Sequence, residues 1–317
     1  MVLLLMTSVS ASGCAVFLET EPQYRFETAW GSKGDRPGEF HDPTGIAAAN
    51  GEVFVSDARN ARIQVFDLDG NFKRQFGTPG TEPGHLERPM NLTIAQGKLY
   101  VADYWNDRIE IFNLDGTHQQ TLGRSGSGPG EFEAPGGVAV APNGDLFVAD
   151  FYNQRIQQLR ADGSFFRQWG QTGKVGIWAE QFNYPTDVAL DSKGFLYVAD
   201  GYNDRVQVFS PGGSFSHKWG GPFAIDISGP FVGWFATVTG IATGPSGNVF
   251  VADFYNHRVQ TFSPEGDFLT AFGKKGFGPG EFNYPIAITV MGDGTVFVAD
   301  YGNNRVQKWR PQPETTK

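Results

Sequence analysis

A single cysteine, Cys14, in 317 residues leaves no partner for an intramolecular disulfide and excludes a multi-cysteine metal cluster. Charge is also scarce: 25 basic and 34 acidic residues make up 19% of the chain, for a net −9, against a usual ~25%. So acidic a chain offers no evident basic face for neutralising phosphates, which argues against nucleic acid as a partner. The five histidines, His41, His85, His118, His217 and His257, form no HxH or HExxH pair. A GxSxG elbow, a P-loop and a dinucleotide fingerprint are absent as well. No apolar run approaches the ~18 residues that span a membrane. What abounds is glycine, 42 residues, with 19 prolines and 28 phenylalanines. With 40% hydrophobic residues the chain is no disordered tail, and this composition favours many short strands joined by tight turns.

The chain is internally repetitive. Six segments share one pattern, among them VADYWNDRIEIF from Val101, VADFYNQRIQQL from Val148 and VADFYNHRVQTF from Val251. Their aspartates, Asp57, Asp103, Asp150, Asp200, Asp253 and Asp300, are spaced 46, 47, 50, 53 and 47 residues apart. A period of this size fits a four-stranded propeller blade. Each unit reads as a short inner strand, an apolar second strand, a third from the repeated Arg, and a fourth after an Asp-Gly or similar turn. A lone blade would leave both faces wet, so the units must stack into a ring. The outer-strand pattern ending in Gly77, Gly123, Gly170, Gly220 and Gly273 occurs five times after the inner strands, and the sixth copy is Tyr24–Gly31 near the start. The expectation is an all-β, six-bladed propeller over 24–310, closed by its N-terminal strand, with a short linker at 15–23 and a tail at 311–317.

Between blades runs a second element, Pro-Gly-Glu-Phe at 37–40, 129–132 and 279–282, with Pro-Gly-His-Leu at 83–86 and Ala-Glu-Gln-Phe at 179–182. Its Phe plugs under the turn, and a proline leads into the inner strand. The stretch 221–239, GPFAIDISGPFVGWFATVT, reads as a break in this rule. Phe223, Ile225, Phe231, Trp234 and Phe235 make it the candidate recognition loop.

The first residues, MVLLLMTSVSASGCAVFL, carry a short apolar run, small residues at Ser10–Gly13 and then Cys14. This resembles the processing site of a bacterial lipoprotein, with Cys14 the lipidated mature terminus and 1–14 the signal, although no Lys or Arg precedes the run. The expectation is export to the periplasm or cell envelope, with membrane association only through such an anchor.

From Tyr24 to Arg310 the sixfold aliphatic-Ala-Asp-x-x-Asn-x-Arg core resembles the NHL-repeat six-bladed propellers, without the literal Asn-His-Leu triplet. The family includes sensor domains, RNA-binding domains and an amidating lyase that uses a histidine-bound zinc with Arg and Tyr residues. No matching histidine set sits on the inner strands here. The six aspartates and Arg62, Arg108, Arg155, Arg205, Arg258 and Arg305 recur once per blade and are read as structural, capping turns and pairing across them. Candidate ligand-binding residues are those that depart from the repeat. Just before the inner strands stand Gly45, Asn91, Gly137, Asp187, Gly240 and Ala287, so Asn91 and Asp187, with Thr44, Thr186 and Thr239 beside them, place polar groups at the axial mouth. These oxygens suit water, a small ligand or, as a weaker option, a calcium ion. The favoured reading is a monomeric extracytoplasmic binding, sensing or scaffold module that recognises a protein, glycan or small molecule on one propeller face, more non-enzymatic than enzymatic, with no cofactor. The alternative is a hydrolase or lyase working at the axial mouth.

Overall fold

The computed structural model describes residues 23–312. Six four-stranded antiparallel sheets form the blades, and each pairs its strands in simple meander order. Blades one to five span 43–76, 89–122, 135–169, 185–220 and 238–272. Blade six takes three strands from 285–311 and its outer strand from Tyr24–Trp30, which lies antiparallel to Arg305–Pro311 with Phe26 opposite Trp309. The expected closure by the N-terminal strand is therefore correct. Cys14 and the signal-like segment lie outside the described residues.

The second strand of every blade is buried along nearly its whole length, from Val53–Asp57 to Val296–Asp300. Adjacent blades share single apolar clusters, such as Ala139, Phe147 and Trp169 with Val188, Leu196 and Phe209. This is why the repeats carry Val and Phe on both strand faces: each sheet is covered on both sides, and the burial of apolar area by neighbours drives ring formation. The connecting phenylalanines Phe40, Phe132, Phe182 and Phe282, and Leu86 in blade two, are fully buried plugs.

The segment 221–239 corrects an expectation. Val232-Gly233-Trp234-Phe235 adopts the same turn as the Pro-Gly-Glu-Phe copies. Gly233 N–H donates to the Gln260 side chain at 2.9 Å, as Gly130 N–H does to Gln157, and Phe235 is a fully buried plug. Sequence identity hid the equivalence because the plug and a left-handed residue before it carry the geometry, glycine in most connections and Glu180 in blade four, while proline and glutamate are replaceable. The additional length lies within 221–228, which stands where two residues, 124–125, link Gly123 to Gly126 in blade three. Phe235 is unavailable to a partner, Ile225 and Trp234 are half-buried, and Phe223 and Phe231 are exposed.

The repeated polar residues form one network per blade. In five blades the Arg Nε lies 2.7 Å from the Asp carboxylate. The remaining Asp oxygen accepts a backbone N–H from the incoming connection, as from Glu133 to Asp150 at 2.8 Å. The Arg Nη atoms donate to connection carbonyls, and the Asn side chain donates to the Asp, as in Asn153 to Asp150. A glutamine not singled out from sequence completes the network, with Gln157 donating to Asp150 and to Glu131 O. The aspartates and arginines thus fasten inter-blade connections to the blades they enter.

Blade two departs from this. Glu110 stands where the others have glutamine, and Arg108 has shifted, 3.6 Å from Asp103 and 2.7 Å from Glu110. His118 and Thr121 also bond the Glu110 carboxyl, at 2.8 and 2.9 Å. Burial pushes this carboxyl above its ordinary range, although Thr121, Arg108 and His118 counter it. A raised folded-state pKa means that the native state binds the proton more tightly, so the cost is absent in acid and full once the pH exceeds that pKa. Glu110→Gln restores the neutral donor. It should raise stability by about 1 kcal/mol near pH 8 and by less near pH 4, as read from denaturant midpoints. A lower midpoint at pH 8 would contradict this reading.

Candidate functional site at the axial mouth

Each inner strand begins at a proline, or at Val238 in blade five, and carries an irregularity in its pairing immediately afterwards, as between Pro43 and Gly45 or Pro185 and Asp187. A bulge leaves its residue unpaired and re-aims the side chain. Here that residue is Thr44, Met90, Gly136, Thr186, Thr239 or Ile286, and all six line a cavity of about 450 Å³ on the propeller axis. Such a volume falls within the ~300–1,000 Å³ of small-molecule sites. The residues taken from sequence to precede the inner strands are instead the third residues of those strands, forming an axial layer directly beneath the bulges, and in blades two and five the pairing irregularity extends over them.

The threonines are placed at the mouth, but their hydroxyl protons are engaged. Thr44 Oγ1 donates to Pro89 O at 2.8 Å, Thr186 to Val238 O at 2.9 Å and Thr239 to Pro285 O at 3.3 Å. Each bond ties one inner strand to the next. Asn91 lines both the mouth and the channel of about 300 Å³ that continues along the axis, and Asp187 lines the channel immediately below. The structure thus gathers all five sequence candidates around one axial passage.

Asp187 has 2% of its surface exposed. Its Oδ2 accepts the Ile241 N–H at 3.0 Å, whereas Oδ1 has no partner with hydrogen-bond geometry among the described residues. The Asn91 amide is close enough to favour the charged carboxylate, but burial dominates and raises the pKa to about 7. Space for the carboxyl exists because blade three has glycine opposite: a Cβ on Gly137 would lie 2.1 Å from Asp187 Oδ1. As calcium ligands these groups are few. Asp187 is the layer's one carboxylate, the Asn91 carbonyl already accepts the Leu92 N–H at 2.9 Å, and calcium takes six to eight oxygens. Among the described residues no group of three or more His, Cys, Asp or Glu is placed to hold a metal ion.

The wall of the mouth was missed at the level of sequence. It comes from the two residues between the repeated Asp and Asn, which were treated as variable. Blade two supplies Tyr104 and Trp105, blade three Phe151 and Tyr152, and blade five Phe254 and Tyr255. Tyr202 of blade four completes the lining aromatics. The rings touch in series: Tyr104 to Phe151 at 6.0 Å, Phe151 to Tyr184 at 4.9 Å and Tyr184 to Tyr202 at 5.1 Å between centroids. Trp105, Tyr152, Tyr202 and Tyr255 remain about half exposed, at 58, 47, 51 and 58%. The signal was present as Asp-Tyr-Trp-Asn and Asp-Phe-Tyr-Asn, because a turn capped by Asp and Asn has no structural need for two exposed aromatics. The 221–239 loop contributes only Thr237 and Thr239 to this lining, so its exposed phenylalanines lie elsewhere.

The sequence profile of the NHL repeat matches residues 40–66, 132–159, 182–209, 235–262 and 282–309. The second blade, with its Glu110, falls outside these matches. No curated relative matches in sequence. Among solved structures, a catalytically inactive histidine-to-alanine variant of virginiamycin B lyase from Staphylococcus aureus, with quinupristin, is similar at 18% identity and TM-score 0.60, covering 93% of this chain and 90% of that one. A streptogramin B lyase is similar at 19% identity and TM-score 0.61, over 92% and 88%. An auxiliary nutrient binding protein from Bacteroides ovatus is similar at 14% identity and TM-score 0.69, over 92% and 78%. At these identities the likeness is one of fold. It nevertheless overturns the expectation of a more non-enzymatic than enzymatic module, since lyases recur among propellers of this architecture.

Proposed function

We propose that this NHL-repeat, six-bladed propeller is an enzyme that acts on a small molecule held in the aromatic mouth, with Asp187 as its proton-transferring group. One observation carries the proposal: past Asn91 the aromatic mouth leads into a channel lined by a buried carboxyl, Asp187, whose pKa, about 7, suits both taking and giving a proton at neutral pH. A lone acid–base carboxyl, without a nucleophile–base pair, suits elimination or water activation. The lyases of similar fold support the first of these by reaction class alone. The apolar walls displace water from the ligand, and aromatic faces orient planar or C–H-rich groups against the axis.

The test is a turnover screen of cyclic esters, lactones and modified peptides by mass spectrometry, with wild type and Asp187→Asn in parallel. A substrate converted by the wild type should show kcat/KM with an inflection near pH 7, and the variant should lose about 10²–10⁴-fold. Conversion at the mouth that survives Asp187→Asn undiminished would remove the carboxyl from the chemistry.

A further inference from the structure

The collar is uneven in charge, and the cause lies in a single alanine. In five blades the residue two before the bulge has a left-handed backbone, as in Asp42, Ala134, Tyr184, Thr237 and Tyr284, with φ between 51° and 63°. In each, its N–H donates to a side chain on the preceding blade: Asn304, Asp107, Gln154, Asp204 and His257 respectively. For blade two the corresponding position on blade one is Ala61, which has no acceptor. Arg88 is accordingly absent from the left-handed set, and its N–H turns instead to Asp103 Oδ1, at 3.2 Å, alongside that of Glu87 at 3.0 Å.

Arg88, on this altered connection, lines the mouth, where among the described residues it is the only charged one. Its guanidinium carbon lies 5.1 Å from the centre of the Trp105 ring, and its side chain is 19% exposed. The nearest carboxylate, Asp42, is 3.8 Å away and is bonded more closely by Arg59. Two arginines share one aspartate, so this edge of the mouth keeps a positive charge on a protein of net charge −9. The aromatic pairs fill the arc over blades two, three and five, while blade one presents Ala58 and Arg59 at the same position.

We infer that the mouth takes a ligand with a planar ring and one anionic group, the ring lying against Trp105 and Tyr152 and the anion on the Arg88 guanidinium. The assignment rests on the reading of the mouth as the substrate site. A guanidinium stacked on an indole is held flat with its N–H edge free, the arrangement that suits a carboxylate or phosphate. The surrounding apolar wall strengthens the pairing by excluding water.

The test uses 2-naphthoate and its uncharged isostere 2-naphthamide, with binding read by calorimetry and by quenching of tryptophan fluorescence. The wild type should bind the carboxylate about tenfold more tightly than the amide. Arg88→Gln should bring the two to parity while leaving the amide unchanged, which also shows that the variant is folded. Ala61→Asn should do the same without removing the charge, because it offers the missing acceptor and asparagine tolerates the left-handed backbone of this position. Tyr152→Ala should weaken both probes. Parity in the wild type, or an undiminished preference in Arg88→Gln, overturns the anion assignment and leaves the mouth reading intact. Failure of both probes to bind, or binding indifferent to Tyr152→Ala and Trp105→Ala, overturns the mouth reading itself. A preference retained in Ala61→Asn but lost in Arg88→Gln refutes the role given to Ala61.

Discussion

Asp187→Asn should make the protein more stable at pH 8 and leave it unchanged near pH 4. The Asp187 carboxyl has a folded-state pKa of about 7 because it is buried on the axis with one oxygen unpartnered. In the unfolded chain an aspartate titrates near ~3.9. The native state therefore holds its proton more tightly, and stability declines as pH rises from about 4 to about 7, after which the whole cost is present. A shift of about 3 units corresponds to about 4 kcal/mol. Asparagine retains the oxygen that accepts the Ile241 N–H and carries no charge to desolvate. Urea unfolding of both proteins between pH 4 and 8 checks this: the wild-type curve should fall and the variant's should be flatter. Parallel curves would mean that Asp187 is solvated in the native state. A stabilising substitution that abolishes function is the behaviour expected of a group kept for its chemistry.

Arg205→Ala should destabilise the fold by about 3–5 kcal/mol, more than Arg305→Ala in the same structural position. Arg205 has no exposed surface, whereas the Arg258 and Arg305 side chains are 14% exposed. Its Nε bonds Asp200 at 2.7 Å, and its Nη atoms reach Trp178 O, Gln181 O and Ala224 O at 3.0, 2.8 and 2.9 Å, together with Ile177 O. Removal leaves a buried carboxylate whose pKa burial already raises, along with four carbonyls that lose this donor. Arg205 also joins the connection at 177–181 to the inserted turn Pro222–Ala224, so two stretches that depart from the repeat meet at one guanidinium. Unfolding in guanidinium chloride followed by tryptophan fluorescence gives the comparison. Equal losses for Arg205→Ala and Arg305→Ala would show that burial adds nothing to this pair.

The architecture was legible because a propeller is written periodically. The Asp-x-x-Asn-x-Arg turn, the glycine after each outer strand and the plug residue recur at blade spacing, and the outer-strand copy at Tyr24–Gly31 announces the closure. Asn91 and Asp187 were legible as departures from small residues. The equivalence of 221–239 to the other connections was not, because Trp234 replaces the usual glutamate and the lengthened stretch 221–228 obscures the alignment. The aromatic collar was overlooked because Tyr104, Trp105, Phe151 and Tyr152 fall at the two positions that the Asp-x-x-Asn-x-Arg pattern leaves open.

Local sequence determined the strands, the turns and the number of blades in this glycine-rich chain, since each depends on residues a few positions apart. Tertiary structure decided the site. The unpaired oxygen of Asp187 depends on Gly137 of the neighbouring blade, the engaged hydroxyls of Thr44 and Thr186 depend on carbonyls of the next blade, and the place of Arg88 depends on what Ala61 cannot accept. Closing the ring sets residues from different repeats against one another around the axis, and desolvation and hydrogen-bond competition there arise only once they meet.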